Sequence, residues 1–111
     1  MNLQIDWRNP LLPENDVLQI ETADLEDFYA SASDLDKANL YFVLLNALHH
    51  YKSEGKAEVS AHLSFLIAYY LFMCFLPPAS GDLATYYIEQ AIALYSTEQY
   101  EQWRKHIREG N

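Results

Sequence analysis

Apolar residues recur at helical spacing along most of this chain. From Thr22, Leu25, Phe28, Tyr29 and Ala32 fall three and four residues apart, predicting a helix over about 23–32. Ser33 followed by Asp36 has the form of a capping box opening a second helix over about 34–53, along which Leu35, Ala38, Tyr41, Phe42, Leu45, Leu48 and Tyr51 trace one face. Gly55 supplies the left-handed residue that commonly closes a helix. A third helix is predicted over about 57–76, ended by Pro77 and Pro78, which lack amide donors and restrict the residue before them. Asp82 is the expected cap of a fourth helix, over about 83–95, with an inward stripe of Ala84, Tyr87, Ile88, Ala91, Ile92 and Tyr95. Ser96 with Gln99 marks a fifth, over about 97–109, with Tyr100, Trp103 and Ile107 facing inward.

The first 21 residues read differently. Pro10 and Pro13 interrupt them, and Leu3, Ile5 and Trp7 alternate as in a short strand, so an extended acidic arm is expected, anchored by Ile5 and Trp7. Asp16–Ile20 reads as a second short extended piece. The connections between the later helices are short, which favours antiparallel neighbours. The predicted fold is therefore all-α, one domain built as a four- to five-helix bundle or as stacked helical hairpins. The segment Ala84-x-x-x-Ile88-x-x-Ala91, with Ala68 on the preceding helix, loosely resembles the second helix of a tetratricopeptide repeat. The resemblance covers about 35 residues, the length of one repeat. It implies hairpin packing, not membership, since the Phe75–Gly81 turn is longer than the repeat's and no second copy follows.

One stretch bears on the solvent in which the chain folds. Val59–Gly81 carries no Asp, Glu, Lys or Arg. Its apolar section, Phe65–Leu76, falls short of the roughly 20 residues needed to cross a bilayer, and its flanks are Glu58 and Asp82, not Lys or Arg. A buried central helix is expected, with no membrane role. The N-terminus shows neither a basic leader nor a following apolar run, so no secretory signal is expected. The single cysteine, Cys74, has no partner for a disulfide. A reducing, cytoplasmic setting fits both observations.

Charge is unevenly placed. Residues 1–36 hold nine acids against Arg8 alone, whereas residues 37–111 hold seven acids against six bases, within a net charge of −9. Direct nucleic-acid binding is disfavoured, because phosphate recognition needs clustered Lys and Arg. A basic protein is the natural complement, although acids at this density also serve solubility alone.

Candidate chemistry is sparse. His49 and His50 are adjacent and point about 100° apart on a helix, so they rarely share a metal. Glu58 and His62 share a face, but the chain has no Glu-x-x-His motif of the kind found in dimetal bundles. The histidines are read as surface or helix-end residues and no metal or cofactor is expected. No Gly-x-Ser-x-Gly or phosphate-cradling glycine loop occurs, and Gly55, Gly81 and Gly110 are all assigned to helix junctions. Cys74 is read as a buried, unreactive thiol.

Nine tyrosines exceed what a core of this size needs, so some are expected at the surface, where tyrosine suits protein interfaces. These features together predict a non-catalytic binding module that engages a basic protein, either an inhibitor of the immunity-protein kind or a chaperone or adaptor. The candidate contact residues are Asp24, Glu26, Asp27, Asp34 and Asp36, with Trp7 and Trp103. Two alternatives stand beside it: a self-associating helical protein whose Phe65–Leu76 helix is buried by a second copy in a homodimer, and a nucleic-acid mimic that blocks a DNA-binding protein.

Overall fold

A computed structural model describes residues 3–110. The chain forms α1 (Glu14–Gln19), α2 (Thr22–Ser31), α3 (Asp34–Ser53), α4 (Ala57–Tyr69) with a π-helical extension (Tyr70–Phe75), α5 (Ser80–Tyr95) and α6 (Glu98–Glu109), with no strand among the described residues. The fold is all-α. Its radius of gyration, 13.0 Å, is that of one compact domain of this length. The central helix α4 packs against α1, α2, α3 and α5, and α6 closes over α5.

Local chemistry explains the helix boundaries. Ser33 Oγ accepts the Asp36 amide at 3.1 Å, as expected from the sequence. Gly55 turns the chain from α3 to α4 at φ +72°, a conformation other residues adopt with strain. Two expected caps move. Thr97, not Ser96, caps α6, its Oγ1 accepting the Tyr100 amide at 3.2 Å. Helix α5 begins at Ser80, so Asp82 lies in its first turn beside the positive end of the helix dipole, and Gly81 is helical instead of junctional.

The apolar run Val59–Leu76 does form the central helix, but its last turn and a half is π-helical. The Leu76 amide bonds the Leu71 carbonyl five residues back, at 3.2 Å. Leu76 then turns left-handed at φ 49° to meet Pro77, which disfavours an α conformation in the residue before it. In this widened turn Tyr70 and Phe75 stack, with ring centroids 5.7 Å apart. Ala57–Phe75 is long and apolar enough to span a membrane by length and composition, yet it is mostly buried inside the fold. The helix is thus mostly covered by its own chain, with Met73 and Leu76 left exposed at its end.

The N-terminal region departs furthest from expectation. Residues 3–13 contain no helix or strand, and Asp16–Ile20 is largely the helix α1 instead of an extended piece. The Leu3–Trp7 alternation ends in a turn, in which the Asp6 carboxylate accepts the Arg8 amide at 3.0 Å and the Asp6 carbonyl accepts the Asn9 amide at 3.1 Å. That turn lifts Trp7 to 45% exposure, and buried Leu3 and Leu12 take over as anchors, with Ile5 half-buried. The Tyr51 hydroxyl donates to the Leu12 carbonyl at 2.6 Å and ties this segment to α3.

Tyrosine hydroxyls recur as ties between elements. Tyr69 donates to Glu26 at 2.5 Å, Tyr70 to the Lys37 carbonyl, and Tyr41 and Tyr87 meet at 3.5 Å. Much of the tyrosine surplus is therefore structural: each ring fills core space while its hydroxyl satisfies a polar group on a neighbouring element.

Candidate functional site

The acidic candidates divide by helix face. Helix α2 turns Leu25 inward with Asp24, which is only 6% exposed. The Asp24 carboxylate accepts the Glu21 amide at 2.8 Å, so it stabilises the start of α2 and is unsuited to contact a partner. Glu26 and Asp27 are exposed on the two flanks of that buried side, about 100° apart around the helix. Glu26 is held by the Tyr69 hydroxyl.

Trp7, Asp27 and Asp36 come together. With Ile5, Phe28 and Ala32 they line a cleft of about 280 Å³ between the N-terminal segment and the α2–α3 junction. Leu3 and Ser31 complete its lining, and its charges are two carboxylates. Asp34 projects fully into solvent one helical face away, 3.8 Å from Lys37. Trp103 does not line the cleft. It is half-buried on α6, edge-on to Tyr69 at 5.0 Å and to His106 at 4.9 Å.

The bases of the rest of the chain are largely occupied by its own acids. Arg104 contacts Glu89 and Glu101, Arg108 contacts Glu89, and Lys56 contacts Glu14 and Glu54. Among the described residues no such partner faces Glu26, Asp27 or Asp36, and the negative potential of the α2 face persists into solvent.

A second cleft, of about 650 Å³, has no signal in the sequence. It lies beside the α1–α2 junction and is lined by Leu18, Glu21, Thr22, His62, Phe65 and Gln99. His62, expected at the surface, is half-buried here. Its Nε2 lies 2.8 Å from the Ile20 carbonyl and its Nδ1 lies 3.2 Å from the Tyr100 hydroxyl. A carbonyl only accepts, so Nε2 carries the proton and Nδ1 accepts from Tyr100. Burial lowers the His62 pKa, against smaller raising effects from the Ile20 hydrogen bond and Glu58. With both nitrogens committed, His62 is a structural pin joining α4 to the α1–α2 junction and α6, and it has no free lone pair to act as a base. The one signal pointing to this was its position inside the apolar α4 run.

Cys74 is buried as expected. Burial, with a smaller effect from Glu26, pushes its thiol up to about 11, which leaves it protonated and unreactive near neutrality. Among the described residues no group of three or more His, Cys, Asp or Glu is placed to hold a metal ion. Family models, curated proteins and solved structures offer no match to this chain, and the tetratricopeptide resemblance gains no support from them.

Proposed function

We propose that this chain is a non-catalytic, cytoplasmic protein-binding module that receives a basic protein on the outward face of α2 and the adjoining cleft. The observation that carries this reading is the placement of Asp27 and Asp36 in one cleft with the exposed ring of Trp7, with exposed Glu26 next to Asp27 on α2 and, among the described residues, no cation paired with any of the three acids. Exposed acids steer a basic partner into encounter, and an aromatic wall supplies desolvated contact area and cation–π attraction for Lys or Arg. Asp24 leaves the contact set, and Trp103 becomes a peripheral contributor through Tyr69 and Glu26. The compact acidic face favours an inhibitor of the immunity-protein type over a chaperone, which would require a long apolar groove.

The test is affinity capture from the source cell at low and high salt, using the wild-type chain and a Glu26→Gln, Asp27→Asn, Asp36→Asn variant. A basic protein retained by the wild type, released by salt and lost by the variant supports the assignment. Equal retention by the variant rejects it.

A further inference from the structure

A second surface lies on the α3–α5 side. Along α3 the exposed residues Leu35 and Phe42 stand at 71% and 62% exposure, seven positions apart, with Asn46 and His49 continuing the stripe. Tyr86 of α5, 55% exposed, stands across a hollow of about 120 Å³ whose α3 wall is Leu45, His49 and Lys52. The rings of Phe42, Tyr41, Tyr87 and Tyr86 join the two helices edge to edge: Phe42 lies 5.3 Å from Tyr41, Tyr86 lies 5.1 Å from Tyr87, and the Tyr41 and Tyr87 hydroxyls meet at 3.5 Å. The face is therefore an aromatic surface with one protruding knob, Phe42, beside one hollow.

Charge along this face is polar in the vectorial sense. Asp34 stands fully exposed at its N-terminal end, 3.8 Å from Lys37, and exposed Lys52 stands at its C-terminal end, where it donates to the neutral Gln90 side chain at 3.4 Å and meets no carboxylate among the described residues. The two are separated by about 27 Å of helix. Such a face is complementary to itself when turned through a two-fold axis, because the acidic end of each copy then lies against the basic end of the other.

We infer that α3 packs antiparallel against α3 of a second copy, with Phe42 of each entering the α3–α5 hollow of the other. One register satisfies every requirement. Placing Phe42 beside Leu45 of the second copy places Leu35 along the aliphatic stem of that copy's Lys52 and Asp34 within reach of its ammonium. The two helix dipoles also oppose, which favours the antiparallel arrangement. Glu26 and Asp27 on α2 lie on another helix, and Asp36 is turned about 100° from Leu35 toward the α2–α3 cleft, so the inference stands independently of the basic-partner assignment.

Sedimentation equilibrium of the full chain tests it. The wild type is expected to dimerise reversibly. Phe42→Asp should weaken association by roughly tenfold or more, the equivalent of one well-packed aromatic contact, while its thermal melt stays near that of the wild type because the ring is exposed. Asp34→Lys and Lys52→Glu should each weaken association, and the double variant should regain it. A wild type that is monomeric at the highest soluble concentration overturns the inference. So does a dimer that survives Phe42→Asp, or a double variant that fails to recover.

Discussion

Replacing His62 probes the pin that holds α4, α6 and the α1–α2 junction together. In His62→Ala two hydrogen bonds disappear, those to the Ile20 carbonyl at 2.8 Å and from the Tyr100 hydroxyl at 3.2 Å. Each contributes about 1 kcal/mol net. The imidazole also packs near Phe65, with centroids 6.1 Å apart, and truncating a half-buried ring adds about 1 kcal/mol. Water from the adjoining cleft can reach the orphaned groups and limits the penalty, so the expected loss is about 2–3 kcal/mol, or roughly 10 °C in Tm for a chain of this size. His62→Gln provides an amide that can donate to Ile20 and accept from Tyr100 without titrating, and should retain most of the stability.

The two variants also separate by pH. Burial depresses the His62 pKa below its ordinary 6.5, so the folded state binds fewer protons than the unfolded state just below that pH. Its stabilising contribution is complete above about pH 6.5 and declines as pH falls toward the folded-state pKa. Urea unfolding between pH 7 and 5 should show a shallower loss in His62→Gln than in the wild type. A loss in His62→Ala under about 0.5 kcal/mol, within the range of an ordinary surface substitution, together with identical pH slopes in wild type and His62→Gln, would refute the assigned role.

Three further outcomes follow from the same geometry. Asp24→Ala should destabilise by about 1 kcal/mol through loss of the α2 cap, while exposed Asp27→Asn should leave the urea midpoint unchanged. Ser60 is fully buried and its Oγ finds no hydrogen-bond partner among the described residues, so Ser60→Ala should stabilise the fold by up to about 1 kcal/mol in the same assay. Burial raises the pKa of Tyr51, Tyr69, Tyr70, Tyr87 and Tyr100, the last to about 12. Their contribution is complete below the ordinary value of 10.0 and is lost as pH rises toward the folded-state values, so tyrosinate absorbance and loss of helical circular dichroism should develop together above about pH 10.

What the sequence revealed was whatever depends on neighbouring residues alone. The Ser33 cap, the Gly55 turn and the stop at Pro77 are local chemistry, and the 3.6-residue period over 34–53 and 83–95 is long enough to read. Helix α1 escaped because six residues are too few to display a helical period. The π-helical end of α4 depends on how Tyr70 and Phe75 pack in three dimensions and has no sequence signature. Asp24 looked equivalent to Asp27 because both are acids near a helix start, and only the position of Glu21 as the residue before α2 separates a cap from a contact. Trp7 and Asp36 lie 29 positions apart in the chain, so their shared cleft follows from the folded path of the N-terminal segment and not from any local pattern.

Attraction of a basic protein by the outward acids of α2 and its cleft is read from the association rate of the captured partner as a function of salt, for the wild type and for the Glu26→Gln, Asp27→Asn, Asp36→Asn variant. The wild-type rate should fall steeply as salt rises, and the variant should associate more slowly at low salt with a flatter dependence, its melt unchanged. Superimposable rates and salt slopes would contradict it.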